Sequence, residues 1–162
     1  LLKMGIKNSC ILFAVVLLFL ACDKKRVFDE YKTVGSGWNK DSIVSFDLPA
    51  LDSTKQYNLF VNLRANDDYK FNNIFLIVAM EQKNGFTKVD TLEYQMANPD
   101  GTLLGNGFTD LKESKLFYKE KVRFKGQFKV YIKQALRENG KVPGVSNLDG
   151  ITDVGFRIET IE

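Results

Sequence analysis

The sequence predicts an antiparallel β-sandwich, jelly-roll or immunoglobulin-like in outline, preceded by a cleaved lipoprotein signal peptide. Three observations carry that prediction. Apolar residues recur with period two in about eight short runs. Turn-forming Asn, Asp, Pro and Gly residues separate the runs at short spacing. No mature segment sustains a helical period. Strand order is not given by the pattern.

The first element is the run from Cys10 to Cys22, CILFAVVLLFLAC, with Lys3 and Lys7 ahead of it. A secretory signal needs a basic start, an apolar stretch of about 7–15 residues and a small residue at the cut. Lys3 and Lys7, Ile11 to Leu20, and Ala21 supply these in order. A bilayer-spanning helix wants about 20 apolar residues, so the run is short for a permanent anchor. Cys22 directly after Ala21 is the specific feature, the position whose thiol bacterial lipoproteins lipidate before the peptidase cuts and whose new amine they acylate afterwards. Phe19 stands where the lipobox prefers a branched aliphatic residue, which keeps an ordinary signal with a coincidental cysteine as the competing reading. Met4-Gly5 with Ser9 also fits the N-myristoylation pattern, but the apolar stretch behind it favours export and points to Met4 as the start.

Removing residues 1–21 from 162 leaves 141, enough for one domain with its own core. The expected partition is 1–21 signal peptide, 22–40 lipidated Cys22 with a short tether and first loop, and 41–162 a single sandwich domain. Lys+Arg number 23 against Asp+Glu 20; without Lys3 and Lys7 the balance is 21 against 20, a net charge of +1. Such a chain carries no nucleic-acid footprint. Cys10 leaves with the signal and Cys22 takes the lipid, so the mature domain has no disulfide. With no histidine in the chain, Ser-His-Asp and Cys-His catalysis and histidine-ligated metal sites are excluded. No cofactor, catalytic residue or metal ligand is assigned.

Asp23-Lys24-Lys25-Arg26 leaves the lipid, either drawn to anionic headgroups or as a solvated tether, and Val27, Phe28 and Tyr31 follow almost at once; if that segment packs, the domain sits close to its bilayer. Trp38 is expected in a loop, Gly35-Ser36-Gly37-Trp38. Ile43 to Leu48 forms a first strand ended by Pro49, and Tyr57 to Arg64 alternates as a half-buried strand. Ile74 to Met80 is an unbroken apolar run that suits a central strand. Asn84-Gly85 predicts a type I′ hairpin into Val89, Leu92 and Tyr94. Asn98-Pro99-Asp100-Gly101 is a turn, Leu103 to Gly107 a short glycine-broken stretch, and Leu116 to Phe124 a strand. Lys125-Gly126 turns into Phe128, Val130 and Ile132, and one helical turn is expected over Gln134 to Glu138. Val154, Phe156 and Ile158 form the last strand.

Several groups offer chemistry. Asn66-Asp67-Asp68 clusters oxygens that calcium accepts, but at a loop tip and without EF-hand spacing. Gly105-Asn106-Gly107 lacks the context of a phosphate loop. Asp110, Glu113, Glu120 and Asp149 offer carboxylates for glycoside chemistry, with nothing in the pattern to pair them. Trp38, Tyr69 and Phe71 could stack on sugar rings, the basis of an alternative reading as a glycan-binding surface lipoprotein. Arg64 and Arg137, at element ends, are candidate anchors for a protein partner, together with Trp38, Tyr69 and Asn73. Asp41-Ser42-Ile43, Asp52-Ser53-Thr54 and Asp90-Thr91-Leu92 match a short O-glycosylation acceptor pattern.

Taken in order, Trp38, Tyr57 to Arg64, Tyr69 to Asn73 running into Ile74, Asp90-Thr91-Leu92, Asp100-Gly101, Leu104-Gly105 with Gly107, Gln134 to Arg137, Pro143-Gly144-Val145 and Ile151 to Gly155 resemble the gliding-motility lipoprotein H family (GldH) of Bacteroidota. Lys70 and Leu136 depart from it, standing where proline and methionine are expected. The resemblance implies an envelope lipoprotein needed for surface gliding, associated with related motility lipoproteins and the linked secretion machinery; with the lipobox and the histidine-free β-domain, a non-enzymatic role is expected. It implies a lipid anchor in the outer membrane.

Overall fold

The computed structural model describes residues 23–161, so Ala21 and Cys22 lie outside the described residues. Ten strands follow one another and no helix occurs among the described residues. They are β1 (Arg26–Thr33), β2 (Gly37–Asn39), β3 (Val44–Asp47), β4 (Tyr57–Ala65), β5 (Asn73–Gln82), β6 (Thr87–Gln95), β7 (Lys112–Val122), β8 (Phe128–Gln134), β9 (Asn147–Asp149) and β10 (Ile151–Thr160). One sheet runs β1-β10-β4-β7, a second β3-β8-β5-β6, and β2 pairs with β9. All pairs are antiparallel. This order is a jelly roll, with most successive strands crossing between sheets, and it decides between the two outlines the sequence leaves open.

Alternation explains the core. Leu59, Val61 and Leu63 of β4 face inward with Val154, Phe156 and Ile158 of β10, against Ile74, Leu76 and Val78 of β5 and Val130 and Ile132 of β8. Each such side chain removed from water stabilises the fold by about 1.5–3 kcal/mol before chain entropy is counted. The β6–β7 edge is closed by side chains. Tyr118 and Lys119 donate to Asp90 at 2.7 and 2.6 Å, and the Tyr94 hydroxyl donates to the Phe117 carbonyl at 2.6 Å. Burial opposes the Asp90 charge, but Lys119 and Tyr118 outweigh it and hold the carboxyl below its ordinary 3.8. Burial pushes the Tyr94 phenol up to about 12.

The topology sorts the connections into two ends. Segments 48–56, 83–86 and 123–127 gather where the chain enters β1. There Thr160 pairs with Tyr57 and Tyr57 with Val122, and Lys83 N–H donates to Gln127 O and Arg123 to Thr54 O. Segments 34–43, 66–72, 96–111 and 135–150 lie at the far end, joined by Asn66 N–H to Gly150 O and Gly150 N–H to Ser36 O.

Four expectations are corrected. Trp38 belongs to β2, not a loop, and is fully buried. Strand pairing begins at Arg26, within the stretch 22–40 assigned to the tether and first loop. The helical turn over Gln134 to Glu138 does not form. Leu136 is buried, its carbonyl accepts from Val145 N–H at 2.8 Å, and the Gln134 side chain accepts from Leu136 N–H at 3.1 Å, which leaves no place for an i to i+4 ladder. The Asn84-Gly85 hairpin is present but is not type I′, because Gly85 alone has positive φ. Gly85 N–H donates to Gln82 O, the geometry of a type I turn closed by a left-handed glycine.

Candidate interaction surface

The side chains that do not enter the core of the first sheet form a grid read directly from its register. Asp29 of β1 faces Arg157 of β10, which faces Phe60 of β4 and then Phe117 of β7. Tyr31, Gly155, Asn62 and Lys115 make the next row, and Thr33, Asp153, Arg64 and Glu113 the third. Gly155 is required by this arrangement, since a Cβ there would lie 2.9 Å from the Tyr31 ring. The Arg64 guanidinium stacks 3.9 Å from the centre of the Tyr31 ring while its Nε donates to Glu113 at 3.1 Å. Lys115 sits 4.2 Å from the Phe60 ring centre, and Phe60 meets Phe117 edge-on at 6.0 Å. Contacts of these kinds contribute about 0.5–1.5 kcal/mol each.

Arg157 is the electrostatic hub. It donates to Asp29 at 2.6 Å, to Glu159 at 2.7 Å and to Asp23, while Lys115 reaches Glu159 at 2.5 Å. Burial works against the Glu159 charge, but Lys115 and Arg157 outweigh it and hold the carboxyl below its usual range. Burial, and then Glu113, push the Tyr31 phenol well above its ordinary value. Three buried side-chain atoms lack a hydrogen-bond partner among the described residues: Asp29 Oδ1, Tyr31 OH and Asn62 Oδ1. All three belong to this face, and Asn62 is only 3% exposed.

The sequence-nominated residues divide. Arg64 lies in this grid. Tyr69 is buried, its hydroxyl donating to the Asn73 carbonyl at 2.6 Å, while Asn73 Nδ2 donates to Glu93 at 2.8 Å; both brace the 66–72 connection at the far end. Arg137 is exposed at the same end, its backbone bridged to Gly144. The face thus unites one of the nominated residues and omits the rest. Asp29, Tyr31, Asn62, Gly155 and Arg157 were missed, although Asn62, Gly155 and Arg157 stand at the outward beats of strands whose alternation was clear. Among the described residues, no group of three or more His, Cys, Asp or Glu side chains is placed to hold a metal.

Fold and face together define a jelly-roll domain that presents one polar and aromatic sheet surface. The GldH lipoprotein family model matches residues 26–158. The chain is 74% identical over 156 residues to "Gliding motility lipoprotein GldH" of Flavobacterium johnsoniae, covering 96% of this chain and 98% of that one. It is 55% identical over 146 residues to "Gliding motility lipoprotein GldH homolog" of Christiangramia forsetii, covering 89% and 90%. The chain belongs to the GldH lipoprotein family, a family of lipid-anchored proteins of the cell envelope. Among solved structures it matches a chain of infectious bursal disease virus Gx strain with a TM-score of 0.37 and 12% identity, over 86% of this chain and 33% of the viral one.

Proposed function

We propose that this chain is a non-enzymatic lipoprotein of the gliding-motility machinery that works by contact with other envelope proteins. The gliding-motility role rests on one observation, the near full-length 74% identity with the F. johnsoniae protein. Removal of residues 1–21 and acylation of Cys22 would hold it on the membrane, in the outer membrane on family grounds. The outer face of the first sheet, with Arg64, Tyr31 and Asn62, is the surface we assign to partners among the motility lipoproteins and the linked secretion machinery. The glycan-binding alternative gains no support: Trp38 and Tyr69 are buried and Phe71 packs partly against the core.

Intact mass of the membrane-extracted protein tests the anchor. The expected species begins at Cys22 and carries acyl chains, and Cys22→Ala accumulates as the full-length precursor. Normal processing of Cys22→Ala to a soluble form would contradict the lipoprotein assignment.

A further inference from the structure

Charge is polarised along the strand axis. At the end where the chain enters the fold, segments 23–25, 48–56, 83–86 and 123–127 carry Lys24, Lys25, Lys55, Lys83, Arg123 and Lys125 against Asp23 and Asp52, and Glu162 follows β10 in the sequence, a net +3. At the far end, segments 34–43, 66–72, 96–111 and 135–150 hold four cations and seven anions, a net −3. The mature chain is nearly neutral, so the asymmetry is one of placement.

The basic end is also unpaired. None of the six cations forms an ion pair among the described residues. Both acids there among the described residues are engaged elsewhere, Asp23 with Arg157, and Asp52 accepting from Thr54 N–H at 2.9 Å and its hydroxyl at 2.6 Å. Beside the cations Phe86 stands 63% exposed on the β5–β6 turn, which Gln82 N–H fastens to Phe86 O at 2.7 Å. Asp23, clamped to Arg157, is the residue that follows Cys22, so a lipid on Cys22 would attach at this same end.

We propose that this end is a membrane-docking surface that seats the domain upright on the anionic headgroups of its own bilayer, with Phe86 entering the interface. The proposal rests on the Cys22 anchor described above. Cations near an anionic surface are attracted within a Debye length of about 8 Å, and the acidic far pole is repelled, so the field orients the domain as well as holding it. With strands normal to the membrane, the Tyr31–Arg64 face points sideways, toward neighbouring envelope proteins.

The test uses the mature lipoprotein in vesicles with a nitroxide at Phe86→Cys or, at the far pole, at fully exposed Phe108→Cys. In vesicles containing about one-third phosphatidylglycerol, relaxation of the Phe86 label by aqueous nickel is expected to be at least about threefold weaker than that of the Phe108 label. Combined Lys55→Glu, Lys83→Glu and Lys125→Glu, all on exposed side chains, should abolish that difference, as should pure phosphatidylcholine. Equal exposure of both labels on anionic vesicles overturns the proposal, as does shielding that persists after charge reversal. Intact mass of the same sample separates the two readings. Acylated protein with an exposed Phe86 sinks the docking alone, and protein without acyl mass sinks the anchor while the Phe86 contrast still decides the docking.

Discussion

Trp38→Ala is expected to lower the unfolding free energy by about 3–5 kcal/mol, the range for deleting a large buried aromatic. The indole is fully buried in β2, opposite Leu148 of β9, and its Nε1–H donates to the Ser42 carbonyl at 2.9 Å. The Gln134 side chain donates to the Val145 carbonyl at 2.8 Å and reaches the Trp38 carbonyl at 3.5 Å, so the ring closes the far end of the sandwich in a buried polar frame. Alanine would leave a cavity and an unpaired Ser42 carbonyl. Denaturant unfolding should show a lower midpoint with an unchanged slope. A loss below about 1 kcal/mol would mean that the ring is not packed as described.

The second large effect is expected at Gly150, between β9 and β10. Its φ of +86° favours glycine, and a Cβ would lie 2.3 Å from the Tyr69 backbone nitrogen, a contact no side-chain motion relieves. Its N–H and carbonyl meanwhile join Ser36 and Asn66, tying three connections together. Gly150→Ala should therefore cost about 3 kcal/mol or more, well above the effect at Gly140, where φ is +77° but no atom lies within 4 Å. Equal costs at the two positions, measured by the same unfolding curves, would show that backbone conformation alone decides and that the close packing on Tyr69 is absent.

These two residues mark where local pattern fails. Strands β4 and β10 could be read directly because one face of each is a run of Leu, Ile, Val and Phe with period two, and β5 because its apolar run is unbroken. β1 hid itself: as an edge strand, Arg-Val-Phe-Asp-Glu-Tyr-Lys-Thr buries only Phe28 fully, so its charges read as a tether. Charged edges are a common protection against further strand pairing. Trp38 looked like a loop residue because β2 has three residues flanked by glycine and turn signals, and its burial depends on β9, more than a hundred positions away. The helical turn at Gln134 failed for a related reason, since the partner of the Leu136 carbonyl, Val145, comes from across a connection.

The outer face of the first sheet was half visible. The alternation of Asn58, Phe60, Asn62 and Arg64 announces an outward row. What it does not announce is that Gly155 on the next strand makes room for Tyr31, or that Asp29 and Glu159 converge on Arg157. Register across four strands is long-range information, set by packing and not by any one segment.

Function is carried by family membership, and its most direct test is functional exchange. In a strain of F. johnsoniae lacking its own 74% identical relative, expression of this chain at native level is predicted to restore gliding over a surface. Membrane-localised protein that leaves the cells unable to glide would contradict the assignment.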